Sequence, residues 1–139
     1  MLKVQRIKQF NRFYVRKMGL ISMYSKESPF TATEAMVLFE INRIDTCTAS
    51  YLAKYFHLDK GYISRILNSF ENKNIIIRVS SEVDRRIKYL KITSKGEEEL
   101  RDLANRASLS VQKMIEHLDK KDIKISLKSM EKIEQILGK

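Results

Sequence analysis

The stretch from Thr48 to Thr93 constrains this fold more than any other part of the chain. Two short helical segments, TASYLAKYF (48–56) and DKGYISRILNSFENK (59–73), meet across the connection HLDK. Thr48 and Asp59 stand where a side-chain oxygen can accept from the first turn of the helix that follows. Asn74 is placed to close the second segment in the left-handed conformation. Two β-branched runs come next, IIIRVS (75–80) and IKYLKIT (87–93), divided by the polar SEVDRR. They predict a β-hairpin with a charged tip. An extended loop fits less well, because KYLKIT alternates polar and apolar residues. Helix, turn, helix and hairpin in that order describe a winged helix-turn-helix, whose second short helix enters the major groove of DNA.

The flanks supply further helices. Residues 3–24 place Ile7, Phe10, Tyr14, Met18 and Ile21 at helical spacing, and Pro29 breaks the pattern by disfavouring helix at Ser28. TATE at 31–34 is a capping box, with Thr31 capping the next helix and Glu34 reaching back to the Thr31 amide. That helix carries Met36, Val37, Leu38, Phe39 and Ile41, too apolar a set for a surface position, so it is expected to be central and buried. Leu52 and Phe56 are the core pair expected of the next one. Thr93 can cap a long helix reaching Leu118, with Leu100, Leu103, Ala107, Val111, Met114 and Leu118 as its stripe. Asp119 or Asp122 starts a last helix with Ile123, Leu127, Met130, Ile133 and Leu137 on one side. The expected fold is mainly α with a small β-hairpin. A single domain over 1–139 would hold a winged helix-turn-helix lobe at 31–96 and a helical region built from 1–24 and 97–139.

Segment 59–73 has two usable faces. At about 100° per residue, Ile63, Ile66, Leu67 and Phe70 fall together. Gly61, Ser64, Arg65, Asn68 and Asn72 fall opposite them. Every soluble helix has a polar outer face, but solvation alone more often selects Glu and Lys. Arg65 and Asn68 are of types that read guanine and adenine edges respectively. Lys60 sits at the helix N-terminus, where free amides attract phosphate. Gly61, a poor helix former, would let the backbone approach a groove closely, or is a residue tolerated in a first turn. The hairpin tip adds Arg85 and Arg86, with Arg78 and Lys88 on its strands. An arginine on a narrow ribbon suits a minor groove, and Asp84 can orient one through a charge-assisted hydrogen bond. Thr48 and Tyr62 are assigned to phosphates.

Charge agrees with this reading. The chain carries a formal net charge of +10, distributed in blocks. Residues 1–30 hold seven Lys or Arg against one Glu, residues 48–96 ten against four, and residues 97–139 nine against nine. Segregated positive charge suits a polyanion, either nucleic acid or an anionic membrane surface, but charge alone fits a lysine-rich soluble protein with solvated faces equally well. No apolar run suggests a membrane span and the basic N-terminus lacks the pattern of a secretory signal. The single cysteine, Cys47, agrees with a reducing cytoplasm.

The run TASYLAKYFHLDKGYISRILNSFENKNII, continued by VDRRIKYLKITSKG, resembles the MarR family of bacterial transcriptional regulators. The matching pieces are the D-x-G-Y-I-S-R-I-L reading helix, the D-x-R wing (Asp84, Arg86) and the L-x-I-T-x-x-G step from Leu90 to Gly96. The N-terminal stretch is also similar to the MarR-type half of proteins that fuse this module to an acetyltransferase; the acetyltransferase half has no counterpart in these residues. The resemblance implies an obligate homodimer on a near-palindromic operator, probing double-stranded DNA and blocking transcription, with its first, fifth and sixth helices interlocked with those of its partner. It makes Arg86 the minor-groove arginine and Asp84 its support. Asn74 departs from the glycine common at that position, but asparagine tolerates the same conformation.

Some members of that family sense small-molecule effectors between the dimer helices and the DNA-binding lobe. Phe13, Tyr14 and Phe30 are the aromatics that could line such a cavity, although aromatics at helical spacing are more often plain core. Oxidant-sensing members carry a cysteine in the first helix, which this chain lacks, so Cys47 reads as incidental. His57, His117 and Cys47 have no metal-ligand spacing, so no metal and no cofactor are expected. No residue set supports an enzyme. Two rivals are a winged-helix adaptor or anti-regulator that sequesters a protein partner, and a non-specific basic chromatin protein.

Overall fold

A computed structural model of the chain describes residues 1–19 and 28–139. The elements are α1 (Leu2–Lys17), α2 (Ala32–Arg43), α3 (Ala49–Phe56), α4 (Lys60–Asn72), β1 (Ile76–Ser80), β2 (Lys88–Ile92), α5 (Ser94–Ile115) and α6 (Lys120–Leu137). Side-chain caps start every helix after α1. In the capping box, Thr31 Oγ1 accepts from the Glu34 amide (3.2 Å) and Glu34 Oε1 accepts from the Thr31 amide (2.9 Å). Thr48, Asp59, Thr93 and Asp119 accept from the amides of Tyr51, Tyr62, Gly96 and Asp122.

Two helices are shorter than their apolar periodicity. α1 ends at Lys17, not near residue 24, because Gly19 turns into the left-handed region (φ 66°). The Gly19 amide then donates to Arg16 O at 3.2 Å. Ile21 and the rest of the expected stretch to residue 24 lie outside the described residues. α5 stops at Ile115, three residues before Leu118, whose amide closes a turn onto Ile115 O (2.9 Å).

The core lies between Phe30 and Leu103. α2 contributes Ala35, Val37, Leu38 and Ile41, α3 Leu52 and Ala53, and α4 Ile63, Ile66, Leu67 and Phe70. Ile75, Ile76 and Leu90 close it from the hairpin, with Leu100 and Leu103 from α5. Met36 departs from the expected core set. It is half exposed, because it lies on the side of α2 away from this cluster. Phe30 meets Phe70 edge-on, with centroids 5.9 Å apart.

β1 and β2 pair antiparallel, with Ile76 opposite Ile92 and Ser80 opposite Lys88. The residues before α3 lie along the other side of β2. The Leu90 amide donates to Cys47 O (2.9 Å), and Lys91 Nζ to Asp45 O (2.8 Å). A second junction ties the end of α4 to the start of α5. Asn74 is left-handed (φ 59°), and the Asn74 and Ile75 amides donate to Glu71 O and Phe70 O, which satisfies carbonyls that the helix end would otherwise leave unpaired. Thr93 Oγ1 donates toward Asn74 O (2.6 Å) and Ile75 O (3.0 Å) while accepting from Gly96. A Cβ on Gly96 would lie 2.3 Å from Ile75 O. Only glycine lets α5 start this close to the hairpin root, which gives the L-x-I-T-x-x-G step a physical reason.

Candidate nucleic-acid interface

α3 ends in a tight left-handed turn. His57 has φ 53°, and the Leu58 amide reaches back to Ala53 O at 3.0 Å. This turn falls on a residue type that, like Asn and Asp, is enriched in the left-handed region, a signal that the helix-turn pattern alone does not use. The turn delivers Asp59 to cap α4 and sets α4 across the outside of the lobe. The buried stripe of α4 is the expected one, and Lys60, Gly61, Ser64, Arg65 and Asn68 are exposed together on its other side.

The side chains on this face are partly pre-arranged. The Arg65 guanidinium lies 5.8 Å from the Tyr62 ring centroid, so the ring attracts the cation and limits its sweep. Asn68 Oδ1 accepts from Arg78 Nη2 at 2.9 Å. Arg78 Nε is 3.3 Å from Glu71 Oε1, close enough for ion pairing but not aligned for a hydrogen bond. This bridge between β1 and α4 was missed in the sequence, where nothing local signals it. A Cβ on Gly61 would sit 2.9 Å from Asp59 Oδ2, the oxygen that caps the helix. Thr48 is half-buried, and its hydroxyl oxygen caps α3. Capping uses a lone pair and leaves the hydroxyl proton for an outside acceptor.

The wing tip is organised by buried Ser81. Its hydroxyl accepts from the amides of Val83 (3.2 Å) and Asp84 (3.3 Å). Its own amide donates to Ile87 O (2.9 Å), while the Ile87 amide donates to Asp84 O (3.0 Å). Asp84 grips Arg86 at three points. The Arg86 amide and Nε both donate to Oδ1 (3.0 and 3.1 Å), and Nη2 donates to Oδ2 (3.2 Å). These bonds hold the Asp84 carboxyl below its ordinary range, the side-chain bond first and the backbone bond second. The Arg86 side chain is 91% exposed, so it is oriented without being covered. Arg85 is exposed beside it. Lys88 instead donates back to Ser80 Oγ across the hairpin.

The three aromatics considered for a cavity do not come together. Phe30 is in the lobe core, whereas Phe13 and Tyr14 line a groove of about 350 Å³ between α1, the end of α5 and α6. A second apolar groove of about 340 Å³ continues it along Ile7, Phe10, Ile133, Ile136 and Leu137. Cys47 is fully buried, and its thiol is pushed up to about 11 by burial first and by the charge of Glu40 second. Glu40 is itself buried, paired with Arg43 and within 3.4 Å of the Tyr51 hydroxyl. Among the described residues no group of three or more His, Cys, Asp or Glu is placed to hold a metal ion. Among them, too, no helix is long and apolar enough to cross a membrane.

Comparison with known proteins matches this geometry. A family model described as MarR family covers residues 28–87, from the approach to α2 through the wing tip. Over 89 residues the chain is 30% identical to the HTH-type transcriptional regulator SarZ of Staphylococcus epidermidis, an alignment covering 62% of this chain and 60% of SarZ. The chain thus spans about 60% of the length of that curated relative. Among solved structures, Streptococcus pneumoniae FabT in complex with DNA superposes with a TM-score of 0.71 at 26% identity, covering 97% of both chains. Apo MarR from E. coli gives a TM-score of 0.78 at 20% identity, covering 91% of this chain and 94% of that one. With its capped helix-turn-helix, its Asp84–Arg86 wing and its Gly96 junction, this chain has the winged helix fold of MarR-family structures, and its residues 28–87 match the MarR family model.

Proposed function

We propose that this chain is a sequence-specific, double-stranded-DNA-binding transcriptional regulator that works as a homodimer on a near-palindromic operator and represses by occupying it. One observation carries the reading: the exposed polar face of α4 stands beside a wing whose outermost arginine is already aimed by a carboxylate. Lys60, Ser64, Arg65 and Asn68 meet base edges in the major groove, where Gly61 lets the helix backbone come close. Thr48 and Tyr62 donate to phosphates flanking that groove. Arg86 enters the adjacent minor groove, whose negative potential attracts a guanidinium, with Asp84 fixing its direction and Arg85 adding charge. The relatives support this reading. FabT is seen bound to DNA, and SarZ is a transcriptional regulator.

Two copies are needed for a palindrome, and the apolar grooves along α1 and α6 are the surfaces we assign to their union. Half-sites about one helical turn apart, roughly 34 Å, would then face two copies of α4. A protein-sequestering adaptor is the weaker reading, because the α4 face lacks the aromatic and leucine anchors that protein interfaces favour.

Selection of bound fragments from random-sequence duplex DNA tests the function. A palindromic consensus is expected, with affinity falling at a log–log salt slope of about −0.9 per phosphate neutralised. Arg65→Ala should flatten base preference at its position, and Arg86→Ala should weaken binding. Uniform recovery of all sequences would reject the reading.

A further inference from the structure

Asn68 and Arg78 are one unit rather than two separate side chains. Asn68 and Glu71 lie three residues apart and therefore side by side on α4. Arg78 reaches them from β1. It pairs opposite buried Leu90, so the two share the hairpin face turned toward the core, and its head emerges against α4. Arginine carries only donors, so the Asn68 atom that it meets at 2.9 Å is the carbonyl oxygen. The free end of Asn68 is then its NH₂ group. Glu71 Oε1, 3.3 Å from Nε, helps to hold the guanidinium at this point.

We propose that Arg78 sets the base specificity of Asn68, converting it from a reader of adenine into a donor-only reader of guanine. The proposal rests on the DNA-binding function proposed above. Recognition of adenine by asparagine needs the amide oxygen to accept from N6 while the NH₂ donates to N7. Here a cation already occupies that oxygen, and an approaching N6 donor would meet the N–H groups of Arg78. Guanine presents two acceptors, O6 and N7, at the same edge. The Asn68 NH₂ and the Arg78 fork can serve both. Cytosine offers a donor and thymine a single acceptor beside a methyl group, so neither matches as well.

The test compares sites selected from random-sequence duplex DNA by the wild-type chain, Asn68→Ala and Arg78→Met. Asn68→Ala keeps Arg78 and identifies the base pair that Asn68 reads, as the one position where preference weakens. That position is expected to be guanine in the wild-type consensus. Arg78→Met frees the amide oxygen and should shift the same position toward adenine by roughly tenfold, with the remaining consensus unchanged. Adenine there in the wild type, no position weakened by Asn68→Ala, or the same base for wild type and a folded Arg78→Met would each overturn the proposal. The first two outcomes decide it even if Arg78→Met fails to fold. A wild-type pool with no enriched sequence overturns the sequence-specific function itself, whereas an enriched site carrying adenine overturns only the role of Arg78.

Discussion

The lobe around α4 and the two terminal helices are built from similar proportions of apolar residues but meet opposite fates. In the lobe, Leu38, Leu52, Ile63, Leu67 and Phe70 are completely buried within one chain. Neither α1 nor α6 has a single buried residue. Leu2, Ile7, Phe10 and Phe13 on α1, and Leu127, Ile133, Ile136 and Leu137 on α6, remain exposed in the single chain. Burying one such side chain fully is worth about 1.5–3 kcal/mol, so leaving this many in water is costly. The contrast teaches that the lobe completes its own core, while the terminal helices are one half of a core whose other half we assign to a second copy.

Substitutions can break or sharpen that contrast. Phe70→Ala should have the largest effect, about 3–5 kcal/mol in a urea melt and the same at every protein concentration. Ile133→Asp should instead act through assembly, destabilising concentrated protein and leaving dilute protein little changed. An equal loss at all concentrations would mean that α6 belongs to the single-chain core. Gly96→Ala comes next. Its Cβ would meet Ile75 O at 2.3 Å, and forcing α5 away from the hairpin root should cost about 1–3 kcal/mol.

The wing responds in binding rather than in stability. Asp84→Asn removes the carboxylate that aims Arg86 and should weaken DNA binding severalfold with an unchanged melting temperature. Its carboxyl pKa is lowered in the folded chain. The contribution of the pair is therefore complete above the ordinary value of 3.8 and is lost as pH falls through the lowered value. From pH 5 to 8 the pair should leave binding flat. Gly61→Ala should have the smallest effect on stability. A gain of roughly 1 kcal/mol in helix propensity is opposed by a Cβ 2.9 Å from the capping oxygen of Asp59. Weaker DNA binding with near-constant stability would mark Gly61 as a point of close approach; unchanged binding would mark it as merely tolerated.

Features governed by neighbouring residues were legible in the sequence. The caps at Thr31, Thr48, Asp59, Thr93 and Asp119 depend on chemistry within three residues, and the two faces of α4 depend only on helical period. Asn74 was readable for the same reason. Gly19 carried a readable helix-stop signal too, but the apolar pattern running past it suggested a longer helix. What was hidden depends on separate elements meeting. The Arg78–Asn68 bond, the Cys47–Leu90 pairing and the packing of Phe30 on Phe70 all join residues distant in sequence. The left-handed turn at His57 differs from them, because histidine is enriched in that conformation and offered a weak local signal.

In the proposed assembly two copies share one helical core and present two α4 helices to one DNA site. Sedimentation velocity of the full chain, alone and with a duplex carrying the selected consensus, tests it most directly. The expected result is a particle of twice the 16.4 kDa chain mass in both cases, gaining one duplex when DNA is present. A 16.4 kDa particle that binds the duplex as a single copy would contradict it.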